Sequence, residues 1–184
     1  MGGIGADRRA GRCTLSLSND LLEQAQHLAR REPKRPRQAS LRRAVSAAYY
    51  SLFHLLTDEA CRFLVSGSAN NRDALRHALR RSFGHGDMKK LSIAFRGGTA
   101  PREWRHAGIG AIPPDLRVVA ESFVDLQEAR HEADYDMAKV YRRQEVLELV
   151  VRCQEARIAW NRVKGSPWAE TYLVALLANR QLKS

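Results

Sequence analysis

The segment from about residue 40 to residue 65 carries the strongest helical pattern in the chain. Its apolar residues fall three or four positions apart, as they do along one face of an α-helix. These residues are Leu41, Val45, Ala48, Leu52, Leu55 and Leu56. Further apolar residues continue around the same predicted cylinder, namely Tyr49, Phe53, Ala60 and Phe63. We therefore predict a central helix that neighbouring elements contact on more than one side.

Helical spacing recurs through the rest of the sequence, whereas no alternating pattern of useful length indicates a β-strand. Further helices are predicted to begin near Ser18, Arg72, Asp87, Pro114, Arg143 and Pro167. The helix after Pro114 should bury an apolar stripe that Arg130 then continues. The predicted fold is all-α, an up-and-down bundle of six or seven helices.

The chain has 184 residues, a length that suits one domain with a single core. Residues 1–17 contain glycines and scattered arginines without a helical period, so we expect a flexible basic tail there. Residues 18–184 are predicted to form the helical domain, with the Ser18 hydroxyl capping its first helix. The long loop over residues 97–114 holds four glycines and three prolines, and such loops are often functional or mobile.

The chain is basic, with 31 lysines and arginines against 20 acidic residues and a formal charge of +11. This balance favours an anionic partner, and nucleic acid is the commonest one for a basic domain because phosphate contacts release counterions. The charges are spread along most of the chain, so an ordinary solvated basic surface is the alternative.

The three cysteines are far apart and odd in number, which argues against a disulfide framework and favours a reducing compartment. No apolar run approaches the length that spans a bilayer, and no signal peptide is recognisable. We therefore expect a soluble cytoplasmic protein without membrane partners. The histidine and cysteine spacings fit no zinc site, and no cofactor motif occurs; Gly84-His85-Gly86, followed by two lysines, is more typical of a turn than of a phosphate-binding loop.

A stripe of polar residues runs along the predicted central helix beside the apolar one. It consists of Arg43, Ser46, Tyr50, His54 and Asp58, each three or four positions after the last. One interpretation is a solvent-facing edge on which His54 and Asp58 form an ordinary pair. The other is a cleft wall where His54 moves protons and Arg43 holds a phosphate.

A second polar cluster spans residues 130–135, where the apolar stripe of its helix gives way to charge. Arg130 and Asp134 are four positions apart and can pair on one face, and Tyr135 can stack or hydrogen-bond beside them. This cluster is either a structural ion pair at a helix end or an inward-facing guanidinium placed to bind a phosphate.

Together the two clusters resemble motifs of the HEPN family. The stretch from Leu41 to His54 is similar to the Arg-x-x-Tyr-Tyr-x-x-Phe-His helix of that family. The stretch from Arg130 to Tyr135 is similar to the Arg-x-x-Ala-Asp-Tyr signature of one HEPN branch. Their order and separation also suit that branch, and the resemblance covers roughly residues 36–160.

The resemblance implies a helical bundle that commonly forms homodimers. Many such proteins are metal-independent endoribonucleases of toxin–antitoxin and defence systems, in which a nucleotidyltransferase-like protein is a possible antitoxin. The resemblance would place Arg130 on the scissile phosphate and make His54 the candidate acid or base. Tyr50, Asp134 and Tyr135 would orient these two residues.

The sequence departs from the nuclease pattern in one respect. Nuclease branches of the family carry a histidine four to six residues after the arginine, where this chain has Tyr135 or its neighbours. His131 follows Arg130 directly, and helical geometry points it elsewhere. Catalysis would then depend on His54, and the alternative is a non-catalytic module that binds a nucleotide, RNA or a protein.

Overall fold

The computed structural model describes residues 7–68 and 71–178, with side chains from residue 17 onward. The described residues form seven α-helices and one short 3-10 helix, with no β-strand, so the predicted all-α class is confirmed. The helices are α1 (Asp7–Arg30), α2 (Gln38–Leu64), α3 (Arg72–Arg80), α4 (His85–Arg96), α5 (Pro114–Tyr135), α6 (Arg143–Val163) and α7 (Pro167–Ala178). The 3-10 helix, Arg102–Trp104, lies between α4 and α5.

The long helices run antiparallel to the ones that precede them in the bundle. Ser18 of α1 bonds to Ser51 of α2, whereas Glu32, just after α1, bonds to Ser40 near the start of α2. Helix α5 in turn lies antiparallel to α2, because Arg130 meets Tyr50 while the later Asp134 meets the earlier Ser46. Helix α6 returns alongside α5.

Helix α2 is the centre of the bundle, as predicted. Seventeen of its 27 residues are buried, and it contacts α1, α3, α5, α6 and α7. The predicted apolar stripe is buried along its whole length, with Leu41, Val45, Ala48, Leu52 and Leu56 at 0% exposure. A helix enclosed in this way has little surface left for solvent.

The predicted apolar stripe of α5 is confirmed as well. Leu116, Val119, Phe123 and Leu126 of α5 are all completely buried. Helix α6 begins at Arg143, as predicted, and ends before Gly165, whose φ of +83° is a left-handed conformation that favours glycine.

The predicted start of the first helix at Ser18 is wrong, since α1 begins at Asp7. Ser18 lies inside the helix and is completely buried, and its hydroxyl donates to the Ser51 carbonyl rather than capping a helix end. Isolated glycines weaken a helix by only about 1 kcal/mol each, so the glycine content of residues 1–17 was a poor guide. The part of that predicted tail from residue 1 to residue 6 lies outside the described residues.

The loop between α4 and α5 is tied to the rest of the bundle. The indole of Trp104 packs against the main core, and the Trp168 indole N–H donates to the Gly110 carbonyl at 3.0 Å. Gly108 lies so close to the same indole that a Cβ there would come within 2.1 Å of ring atoms. The close approach of Trp168 therefore requires glycine at position 108.

Arg42 connects the start of α2 to the end of α5. Its guanidinium donates to the carbonyl oxygens of Ala133 at 2.8 Å, Asp136 at 2.8 Å and Lys139 at 2.6 Å. The last carbonyls of a helix have no partner within the helix, so a cation there satisfies them and opposes the helix dipole. This contact holds the cluster at residues 130–135 against α2.

Replacing Arg42 with alanine should lower the free energy of unfolding by about 1–3 kcal/mol, because hydrogen bonds from a charged donor are lost. Arg43→Ala is the matched control, since Arg43 is exposed and should change stability by less than about 0.5 kcal/mol. Urea unfolding of both variants measures the difference. Equal stability of the two variants would show that Arg42 does not hold α5 in place.

Candidate functional site

The two predicted polar clusters meet at an open cleft of about 490 Å³ between the start of α2 and the end of α5. Its walls are Ala39, Arg42, Arg43, Ser46, Tyr50, Arg130, Ala133 and Asp134. Four predicted site residues, Arg43, Tyr50, Arg130 and Asp134, therefore share one cavity. Tyr135 lies next to the cavity, 64% exposed, and His54 is not among its walls.

Arg130 is a cation of the cleft that three side chains surround. Its Nε lies 2.7 Å from Asp134 Oδ2, and its Nη2 donates to the Tyr50 hydroxyl at 3.1 Å. Its guanidinium carbon lies 5.6 Å from the ring centroids of both Tyr50 and Tyr135, a cation–π distance. The ion pair that the four-residue spacing predicted is thus present, and the side chain is only 17% exposed.

The guanidinium still has donors to offer. Its Nε is buried and faces Asp134 in the ion pair, so the donors left for a ligand are those on the two terminal nitrogens. Five N–H groups are present on a guanidinium, and only one makes a described hydrogen bond, to Tyr50. The remaining N–H groups on Nη1 and Nη2 are therefore available to an anionic ligand in the cleft.

Asp134 is held from two sides. Ser46 donates to its Oδ1 at 2.9 Å, while Oδ2 faces Arg130. The serine is only 5% exposed, so the polar stripe on α2 is not a solvent-facing edge at this point. The carboxylate therefore orients Arg130 rather than standing free in the cleft.

The pair between His54 and Asp58, which belonged to one of the two interpretations of the polar stripe, does not form. Asp58 is 2% exposed, and its two oxygens face Arg62 Nε at 2.7 Å and Arg80 Nη2 at 2.5 Å. A buried carboxylate needs such charged partners to offset the loss of hydration. Because Arg80 comes from α3, the spacing along α2 gave no sign of this arrangement.

His54 is left as a half-buried imidazole among aromatic rings. Its ring lies 6.1 Å from Tyr50 and 5.4 Å from Phe53 between centroids. Burial lowers the pKa of His54, the positive charge of Arg80 lowers it further, and Asp58 acts in the opposite direction. The imidazole is consequently neutral near pH 7 and able to accept a proton.

His85 is a site residue that the sequence interpretation missed. It opens α4, and its Nδ1 lies 2.6 Å from the Tyr49 hydroxyl. Its ring centroid is 4.4 Å from that of Phe53 and 6.0 Å from that of Tyr50. Gly84-His85-Gly86 indicated only a turn, and no signal in the sequence placed this turn against α2.

The hydrogen bond to Tyr49 selects a tautomer of His85. Tyr49 is completely buried, and burial raises the pKa of its phenol, so the hydroxyl stays protonated. A buried O–H needs an acceptor, and His85 Nδ1 is its one partner among the described residues. The proton of the neutral imidazole therefore lies on Nε2, which remains available as a donor.

Tyr50 is the point at which these groups converge. His54, His85 and Arg130 all lie about 6 Å from its ring, although they come from three different helices. Burial lowers the pKa of His85, and the nearby charges of Arg130 and of His54 lower it further. Both imidazoles are thus neutral and lie by the same tyrosine ring as the Arg130 cation, an arrangement suited to acid–base work on a bound anion.

Comparisons of the chain with protein-family models, with curated proteins and with solved structures find no match. Among the described residues, no three histidine, cysteine, aspartate or glutamate side chains lie close enough together to hold a metal ion. None of the described helices is both long enough and apolar enough to cross a membrane.

The two histidines should make stability depend on pH. The pKa of each histidine is lowered in the folded protein, whereas in an unfolded chain it is about 6.5. As the pH falls towards 6.5 and below, the unfolded state therefore binds more protons than the folded state. The free energy of unfolding should therefore fall as pH drops from 7 towards 5 and stay level above 7.

The double variant His54→Gln/His85→Gln should show a shallower fall over the same pH range in urea unfolding. His77→Gln, which removes an exposed histidine, should keep the wild-type profile. A double variant with the same slope as the wild type would contradict the neutral state assigned to both rings.

Proposed function

We propose that this chain is a HEPN-like protein that acts on RNA and cleaves it as a metal-independent endoribonuclease. The observation that carries the proposal is the setting of Arg130, a mostly buried guanidinium held by Asp134 and Tyr50, with two neutral imidazoles about 6 Å from the same Tyr50 ring. A phosphodiester supplies the oxygen acceptors that such a guanidinium lacks. RNA also carries its own nucleophile, the ribose 2′-hydroxyl, so the reaction requires no metal-activated water.

In the proposed reaction, Arg130 binds the oxygens of the scissile phosphate and stabilises the charge that develops on them. His54 accepts the proton of the 2′-hydroxyl, whose oxygen then bonds to phosphorus. The bond from phosphorus to the 5′ oxygen breaks, and that oxygen takes a proton from water. The products are a 2′,3′-cyclic phosphate and a 5′-hydroxyl end.

The remaining side chains of the site have supporting roles in this proposal. Asp134 and Tyr50 orient Arg130 through the contacts described above, and Tyr135 covers the guanidinium from the solvent side. Arg43 is exposed on the cleft wall and binds a neighbouring phosphate. His85 donates from Nε2 to a phosphate oxygen.

The HEPN resemblance extends the proposal to partners. It implies a toxin-type or defence nuclease that is inhibited by a nucleotidyltransferase-like antitoxin and works as a homodimer. Exposed apolar side chains next to the site support an interface there, since Tyr135 is 64%, Met137 86% and Val140 69% exposed. Contiguous exposed apolar groups are typical of surfaces that bind another protein.

A non-catalytic module that binds a nucleotide, RNA or a protein is the second candidate. It is favoured by the position of His54 and His85, which are not among the walls of the cleft that holds Arg130. It is favoured also by the absence of a histidine four to six residues after Arg130. In that case Arg130 would bind a phosphate without reaction.

Incubation of the purified protein with total RNA, in a chelator and without added metal, tests the nuclease proposal. Cleavage should yield 2′,3′-cyclic phosphate ends. It should slow by about 10²–10³-fold in Arg130→Ala, through lost charge stabilisation, and by about 10²–10⁴-fold in His54→Ala, through lost proton transfer.

Arg81→Ala is the control, because this exposed arginine follows α3 and does not line the cleft. Circular dichroism establishes that each variant is folded. Cleavage at wild-type rates in both site variants would overturn the assignment of the site. Absence of cleavage by the wild-type protein, with retained binding of RNA or a nucleotide, would favour the non-catalytic module.

A further inference from the structure

The net positive charge of this chain is unevenly distributed, with a large share in one short segment beside the cleft. Residues 30–43, here called the basic segment, contain seven arginines and lysines and one glutamate. Their net charge of +6 is more than half of the +11 of the whole chain. The segment comprises the last residue of α1, the connection to α2 and the first residues of α2.

Most cations of the basic segment are available to a ligand. Arg42 is committed to the end of α5, as described above, but the other six are exposed: Arg30, Arg31, Lys34, Arg35, Arg37 and Arg43. Of these, Arg31 alone lies near a carboxylate, 3.8 Å from Glu32, among the residues that the structure describes. Six solvated cations, five of them without a close acidic neighbour among the described residues, create a strong positive potential.

The connection that carries these charges is held in place. Arg143, at the start of α6, donates to the backbone carbonyls of Glu32 and Pro33. Gln38 exchanges two hydrogen bonds with the backbone of Tyr141, at 2.8 and 2.9 Å. A charged surface that is already ordered loses less conformational entropy when it binds a partner.

A groove leads from the basic segment to the cleft. It has a volume of about 610 Å³ and lies between α1 and α2. Arg31 and Ser40 line the end of the groove at which the connection joins the two helices. Leu21, Leu28 and Ala47 supply apolar wall. The groove and the cleft share Arg43 and Tyr50, so a ligand can lie in both at once.

We infer that the basic segment and this groove bind single-stranded RNA of several nucleotides, so that the strand enters the cleft from the connection between α1 and α2. The inference rests on the proposed function and specifies its substrate class. A free nucleotide would occupy the cleft alone and leave the cations of the connection without phosphates. An apolar groove ending at a tyrosine suits unpaired bases, which a duplex does not offer.

Binding of a fluorescent 2′-O-methyl oligouridylate of about twelve nucleotides, which cannot be cleaved through its 2′ position, tests the inference. Uridine 5′-monophosphate is the short competitor, and an RNA duplex of the same length is the third ligand. The variant Lys34→Gln/Arg35→Gln/Arg37→Gln removes three exposed charges from the connection.

The matched control is Arg81→Gln/Arg162→Gln/Lys164→Gln, which removes the same charge from exposed positions elsewhere. Arg162 lies near the far end of α6, roughly 28 Å along the helix from Arg143. Comparison of the two triple variants separates local contacts from the effect of net charge.

The wild-type protein should bind the oligonucleotide far more tightly than the mononucleotide, and more tightly than the duplex. In the connection variant, affinity at about 0.1 M salt should fall by on the order of 10- to 100-fold, and the salt dependence of log K should become shallower by about 2. The control variant should change both quantities much less.

Equal effects of the two triple variants would overturn the inference, as would equal affinity for the oligonucleotide and the mononucleotide, or tighter binding of the duplex. These results are independent of cleavage. A protein that binds the strand through the connection but cuts no RNA would refute the nuclease proposal and leave the inference intact. A nuclease that binds the oligonucleotide and the mononucleotide equally would refute the inference and leave the nuclease proposal intact.

Discussion

Helix α2 is enclosed by the rest of the bundle, so the polar groups that it carries inward must find partners on other helices. Ser46 finds Asp134, Tyr49 finds His85, and Asp58 finds Arg80. An unpaired polar group in such a position costs about 1–3 kcal/mol, and an unpaired charge costs more. These links therefore determine where α3, α4 and α5 lie. The candidate site lies beside two of them, the link from Ser46 to Asp134 and the link from Tyr49 to His85.

Much of the fold follows from spacing in the sequence. The starts of α2, α5 and α6 were predicted within a few residues because each is where an apolar stripe begins, and a proline marks the start of α5. The start of α1 was not predicted, since residues 1–17 lack such a stripe and helix propensity alone is a weak guide. Ser18 resembles a helix cap by residue type, yet its hydroxyl is buried against α2.

The site was predictable only where its contacts are local. Arg130 and Asp134 share a helix, so their four-residue spacing was sufficient to predict the ion pair. The contacts of His85 with Tyr49 and of Arg80 with Asp58 join different helices, and no spacing along the chain encodes them. The local charge of the basic segment was not predicted for another reason. The net charge was taken over the whole chain, and such an average does not show a local excess.

Tyr49 and Tyr50 are consecutive residues that serve different environments. The first is completely buried and bonds to His85, whereas the second lines the cleft and bonds to Arg130. A single peptide unit thus couples the packing of α4 to the shape of the cleft. His85 and Arg130 both contact Tyr50 but come from different helices, so insertions or deletions between α4 and α5 can alter the sequence interval between them without changing these contacts.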